Sequence, residues 1–269
     1  MKRLLLAIQF LTIIPVRVGG NVTERDMAGA TVFFPAAGAV QGAVAALTAF
    51  TVMKFFPAEP AAALTLCALI FSNGGFDLDG LMDTFDSLAV KSVGDRQKDM
   101  DRRLSVMKDS SVGAVGVIGL VMALLLKYAL IVTLLRSSSP YNACSLIFVM
   151  TVLGRWVTVP AMYHARPARL DGLGSIFIGK LGLSDVVLSS LLSLVFSAAA
   201  LCGVMGFGPA LGFLFPAVCL LLLYLFVIAA LHFFDSRFGG LTGDHCGALT
   251  ETSEIMFLMG TYLWLRHFI

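Results

Sequence analysis

The stretch PALGFLFPAVCLLLLYLFVIAALHFF, Pro209 to Phe234, decides the fold class. It holds no Asp, Glu, Lys or Arg. A helix of that length exceeds the ~30 Å hydrocarbon core of a bilayer. Six more apolar runs flank it: Ala28–Met53, Ala61–Phe76 (short), Val112–Leu135, Tyr141–Tyr163, Ser184–Met205 and Ala248–Leu265. The expected fold is therefore all-α: a polytopic helical membrane protein of about seven transmembrane helices, forming one integral membrane domain over residues 1–269. Leu4–Val16 is too short to span and reads as an interfacial or re-entrant helix. It resembles the start of a signal peptide, but no small-residue cleavage site follows, and Pro15 and Arg17 end it.

Composition agrees. Of 269 residues, 58% are apolar and 13% charged, against about 25% charged in a soluble domain. A water-soluble chain could not bury so much apolar surface. The net charge of +2 gives no global field for a polyanion, so no nucleic-acid partner is expected. The five cysteines lack paired spacing, and four sit in apolar runs, where they read as small buried residues.

The links between runs alternate in charge. One set carries Arg17, Arg25, Lys91, Arg96, Lys98, Arg102, Arg103, Lys108, Arg166, Arg169, Lys180 and Arg237; the other carries Lys54, Arg136 and Arg266. The positive-inside rule puts the first set in the cytoplasm, with the chain in the inner cell membrane. All chemistry-bearing motifs fall on that face.

The first motif is FSNGGFDLDGLMDTFDSL, Phe71 to Leu88. Asp79, Asp83 and Asp86 are spaced i, i+4, i+7 and share one helix face, with Asp77 nearby. Like charges so spaced repel by about a few tenths of a kcal/mol in water, and more at the edge of hydrocarbon. A hard divalent cation, Mg²⁺, is the natural counter-charge. The alternatives are a solvated acidic helix cap and a transporter cation site.

The second motif, RRLSVMKDSSVGAVGVIGL from Arg102, sets Arg102, Arg103, Lys108, Asp109, Ser110 and Ser111 before a helix with Gly113, Gly116 and Gly119. A helix start of this kind suits phosphate, and the glycines suit close helix packing, within the chain or in a homo-oligomer. The third, FGGLTGDHCGALTETSEIMFL from Phe238, carries Asp244, Glu251 and Glu254 down one helix and reads as a second polar site. The fourth, GRWVTVPAMYHARPARLDGLGSIF from Gly154, places Arg155 inside a span, where it needs a partner or anionic ligand. Arg166 and Arg169 suit bidentate phosphate binding, and His164 reads as interfacial. Acids for a metal and bases for phosphate on one membrane face fit phosphoryl or phosphodiester transfer on an amphiphilic substrate.

In this order and spacing, GGFDLDGLMDTFDS, RRLSVMKDSSVGAVG and GGLTGDHCGALTETSE resemble the cobalamin synthase family, the adenosylcobinamide-GDP ribazoletransferases. FLTIIPV and FFPAAGAVQGA near the start resemble it too. The resemblance implies an integral membrane enzyme of the final assembly of cobalamin. It would join adenosylcobinamide-GDP to α-ribazole or its 5'-phosphate, release GMP and require Mg²⁺, with membrane lipid around it. The family's aspartates fall on Asp79, Asp83 and Asp86, its Lys-Asp on Lys108 and Asp109, its Gly-Asp on Gly243 and Asp244, and its trailing acid on Glu254. The family commonly has histidine where this chain has Asp77 and glycine where it has Ser87.

The expected mechanism assigns Mg²⁺ to Asp79, Asp83 and Asp86. Substrate phosphate falls to Arg102, Arg103, Arg155 and Arg166, and catalysis to Lys108 with Asp109 or Asp244 as proton acceptor. Glu251 and Glu254 form the second acidic site. A CDP-alcohol phosphotransferase is the nearest alternative, but the Ala-Arg pair of its signature is absent after Asp79-Gly80. A cation-coupled transporter is the other.

Overall fold

A computed structural model describes residues 1–109 and 111–268. Among them there is no strand, only an isolated bridge between Pro167 and Leu241. The helices are α1 (Lys2–Leu11), α2 (Glu24–Ala30), α3 (Phe34–Val52), α4 (Ala58–Asn73), α5 (Phe76–Leu88) and α6 (Arg96–Val106). They continue with α7 (Ala114–Ser137), α8 (Pro140–Trp156), α9 (Thr158–His164), α10 (Leu183–Gly203), α11 (Pro209–Phe238) and α12 (Gly243–Phe268).

Among the described residues, five helical stretches are long and apolar enough to cross a membrane: Glu24–Val52, Ala114–Ser137, Pro140–His164, Leu183–Gly203 and Pro209–Phe238. The seven expected spans map onto these plus α4 and α12. α4 has only 16 residues before a 90° bend into α5, and α12 carries Asp244, Glu251 and Glu254. α12 is more polar than the five, and its acids Glu251 and Glu254 are buried in protein. α1 has 10 residues, in keeping with an N-terminal helix too short to span.

Ion pairs sort the links onto two sides. Lys180–Glu24 (3.0 Å), Lys108–Asp171 (2.5 Å), Arg166–Asp235 (2.8 Å) and Arg169–Asp244 (3.0 Å) tie the basic links together. At the far side Glu59, at the start of α4, pairs with Arg136, at the end of α7.

α8 and α9 form the central post, with every residue from Val149 to Met162 buried. Lipid tails are as apolar as Leu, so helix association there rests on close packing. α3 supplies it with Gly38 and Gly42, which lie against Thr151 of α8, and with buried Ala45 and Ala49. Cys67 is exposed on α4, against the expectation that the cysteines are buried.

Candidate active site

The site begins where α4 ends. Gly74 and Gly75 both take positive φ (68° and 77°), which stops α4 and turns the chain into α5. Asn73 braces the turn: its Oδ1 accepts from Gly75 N (2.9 Å), and its Nδ2 donates to Asp77 (2.6 Å). α5 leaves α4 at 90° and packs against α7 and α12. Its four aspartates then diverge by face. Asp77 turns inward and is buried, Asp79 is exposed, and Asp83 and Asp86 are half-buried.

Asp77 meets Arg155 in a bidentate pair: Nη1 donates to Oδ1 at 2.8 Å and Nη2 to Oδ2 at 2.5 Å. Arg155 Nε donates to Gln41 Oε1 (2.8 Å), and Gln41 Nε2 donates to Leu11 O (2.7 Å). Arg155 was expected to hold substrate phosphate. Instead it is a buried strut joining α1, α3, α5 and α8. An intramembrane guanidinium needs a partner, and a buried carboxylate that meets it bidentately is the best one.

Glu251 and Glu254 require a similar correction. Both accept from Lys127 Nζ, at 2.5 and 2.7 Å, and all three are buried. The expected second acidic site is a neutralising triad between α7 and α12. The missed signal was Lys127 itself, a cation in the middle of an apolar run.

The start of α7 is also occupied differently. The helix begins at Ala114, five residues after Asp109. Its free amides are taken by Asp86, which accepts from Gly113 N (2.8 Å) and Gly116 N (2.7 Å). The glycine stripe serves this contact inside the chain: Gly113 and Gly116 face Asp86, and Gly119 faces the Phe85 ring. Lys108 and Asp109 lie in the link before it. Lys108 pairs with Asp171, and Asp109 accepts from Ser111 N (2.9 Å), which holds its carboxyl below the usual range. Ser110 lies outside the described residues. Arg102 is exposed and reaches Lys91 O (3.5 Å). Arg103 is buried and donates to Arg237 O (3.1 Å), a helix-end carbonyl of α11.

The acids that remain gather where α5 crosses α12. Two glycines allow the crossing. A Cβ on Gly80 would lie 2.6 Å from Asp244 O, and one on Gly247 would lie 2.7 Å from Asp77 O. The crossing brings Asp244 to the aspartates of α5. Burial raises the Asp83 carboxyl to about 6, and the charges of Asp79, Asp244 and Asp86 push the same way, with Arg169 opposing.

A cavity of about 120 Å³ opens beside them, lined by Phe76, Arg169, Asp171, Ser175, Thr242 and Asp244. Arg169 Nη2 donates to Asp244 (3.0 Å), while its Nη1 is buried with no partner among the described residues. Arg102, Arg103 and Arg155 do not line this cavity. The spacing of Arg166 and Arg169 gave no hint of which of the two enters the cavity. Arg166 instead pairs with Asp235.

The donor set suits a hard cation: carboxylate oxygens only, with no hydrogen bond to Asp79 or Asp83 among the described residues. Among those residues no three acids, histidines or cysteines close around one point. The expected ligand set of Asp79, Asp83 and Asp86 is therefore not assembled around one point, because Asp86 turns to the amides of α7.

Fold and site together define a polytopic membrane protein with an acid-and-arginine pocket of the kind that handles phosphate groups. More narrowly, the chain belongs to the cobalamin-5-phosphate synthase family, whose model matches residues 3–262. It is 32% identical over 270 residues to the adenosylcobinamide-GDP ribazoletransferase of Thermodesulfovibrio yellowstonii, covering 99% of each chain. It is 37% identical to the protein of that name from Geotalea daltonii (94% of each) and 32% identical to that from Desulfitobacterium hafniense (97% of each). No solved structure matches.

Proposed function

We propose that the chain is an adenosylcobinamide-GDP ribazoletransferase that completes the cobalamin skeleton at the cytoplasmic face of the inner membrane. The observation that carries the reading is the cavity that Arg169 and Asp244 line together, joined by a 3.0 Å ion pair, with both close enough to Asp83 to act on its carboxyl. A guanidinium so placed suits a phosphate oxygen. The twelve-to-three division of basic residues supports the cytoplasmic side.

Asp79 and Asp83 would hold Mg²⁺, which would supply charge neutralisation to the diphosphate. Arg169 orients the phosphate that carries cobinamide, with Lys108 at the rim through Asp171. A ribazole hydroxyl attacks that phosphorus, forming one P–O bond as the P–O bond to GMP breaks. Asp244 accepts the hydroxyl proton, since it lines the cavity and Asp109 does not. The charged GMP leaves toward the basic links.

The test is GMP release by purified protein in lipid, given adenosylcobinamide-GDP and α-ribazole or its 5'-phosphate, with Mg²⁺ or chelator. GMP that appears only with both substrates and metal supports the reading. No GMP from folded protein sinks it.

A further inference from the structure

His245 follows Asp244 in the first turn of α12 and is completely buried. Two hydrogen bonds tie it to Thr242, the residue before the helix. His245 N donates to Thr242 Oγ1 at 3.2 Å, and Thr242 N donates to His245 Nδ1 at 3.1 Å. This is a capping box in which an imidazole stands where glutamate or glutamine is usual. A backbone amide can only donate, so Nδ1 is the acceptor, the ring is neutral and its proton sits on Nε2. Nε2 is buried with no partner among the described residues. A stranded donor is a cost that glutamine would avoid. The ring is compensated by its neighbours: it stacks on Phe234 (centroids 4.1 Å apart, planes at 11°) and meets Phe238 edge-on (4.4 Å, 61°), both at the end of α11.

We propose that His245 is a positioning residue for the transfer: through the box it fixes the first turn of α12 and so aims Asp244 at Arg169 and the acids of α5. The inference rests on the transferase reading, in which Asp244 accepts the proton. Asp244 lies between the two partners of the box, so its backbone is held while the box is closed. Thr242, Gly243 and Asp244 line the acidic cavity and His245 does not; the imidazole acts from behind, through the backbone. The same turn is tied on its other sides. Just upstream, Leu241 N donates to Arg166 O and Ala168 N donates to Leu241 O, both at 2.9 Å. Opposite, Gly80 lets α5 approach so closely that a Cβ there would lie 2.6 Å from Asp244 O. The 3.0 Å pair between Asp244 and Arg169 is made from this turn. Without an acceptor at position 245, Thr242 N loses its partner and the turn that carries Asp244 loosens.

Three variants separate the acceptor atom from the ring. His245→Gln keeps an acceptor in the usual capping-box position. His245→Phe keeps a ring against Phe234 and Phe238 and has no acceptor. His245→Leu also lacks the acceptor, and carries the comparison should the Phe variant not fold. Each is reconstituted in lipid, and kcat and KM for adenosylcobinamide-GDP and α-ribazole 5'-phosphate are measured by GMP release per folded protein, beside thermal unfolding. Expected in Phe and Leu is a fall of about tenfold or more in kcat, with both KM values near wild type. Gln should recover most of that kcat. A purely structural cap would lower the unfolding midpoint and leave kcat per folded protein at the wild-type level. That result overturns the proposal, as does an equal loss of kcat in Gln and Phe, or a loss confined to KM. No GMP from wild type overturns the transferase reading instead.

Discussion

Replacing Gly80 with Ala tests whether the α5–α12 crossing sets the chemistry. The added Cβ would meet Asp244 O at 2.6 Å, where ordinary contact starts at 3.4 Å. The obstacle is backbone, so no rotamer change relieves it, and the helices must separate by the difference, about 0.8 Å. Overpacking of this size costs about 1–3 kcal/mol. The better helix propensity of Ala returns about 1 kcal/mol of that. The net loss of stability is therefore modest, about 0–2 kcal/mol. The chemical cost is larger. Asp244 and Arg169 move relative to Asp79 and Asp83, and a misplacement near 1 Å costs about 100-fold in rate. Gly247→Ala should behave alike, since its Cβ would meet Asp77 O at 2.7 Å. Gly260→Ala, also on α12, is the control: a Cβ there meets nothing within 4 Å. The assay is GMP release per folded protein, with thermal unfolding in the same detergent. Expected is a fall of about 10- to 100-fold in kcat/KM for the first two variants and none for the third. Equal activity in Gly80→Ala and Gly260→Ala would refute the claim that this crossing positions the acids.

Arg155→Ala leaves Asp77 buried without its cation and should destabilise the protein by about 3–5 kcal/mol, read as a lowered unfolding midpoint; the Asp77→Leu, Arg155→Met pair should recover most of that. Lys127→Met should be similarly costly, because it strands two buried glutamates, and Glu251→Gln in the same chain should restore part of the loss. Asp83 gives a pH dependence. Its folded value of about 6 lies above the ordinary 3.8, so the folded state holds its proton more tightly than the unfolded state. Without metal, stability should be fully present below pH 4 and decline as pH rises through 6. Asp83→Asn should therefore unfold at a higher temperature than wild type at pH 7.5 in chelator, and should release no GMP. A midpoint in that variant equal to or below wild type would count against the crowding of acids around Asp83.

Much of the fold was legible because lipid imposes a simple rule. A run such as Pro209–Phe234 has one structure open to it in hydrocarbon. The α4–α5 turn was less plain: the apolar run was carried through Gly74 and Gly75 to Phe76, whereas the chain bends by 90° at those glycines. α12 was harder. Its polar residues were read as a site because sequence shows what a helix carries, not what stands opposite. Lys127 stands 124 residues from Glu251 in the chain and 2.5 Å away in space. The start of α7 was misread for the same reason. A helix N-terminus with free amides invites an anion, and the chain supplies its own in Asp86, 27 residues upstream of Gly113. Arg166 and Arg169 were chemically equal on the page. Only the structure separates them: Arg169 lines the acidic cavity and Arg166 pairs with Asp235.

Pairing is what separates scaffold from chemistry in this molecule. A carboxylate in or near a membrane must have its charge answered. Three acids are answered from within: Asp77 by Arg155, and Glu251 and Glu254 by Lys127. All are buried, and each pair joins helices that lipid gives little reason to associate. A fourth, Asp86, is answered by the amides of α7 and so fixes α5 against it. Asp79 and Asp83 have no such partner, and Asp244 has one arginine whose other nitrogen is unspent. The scaffold's own ion pairs hold these remaining charges together against their repulsion. That is an arrangement with no benefit to the empty protein. Under the proposed function, a cation and a diphosphate arriving together would answer the charges left open.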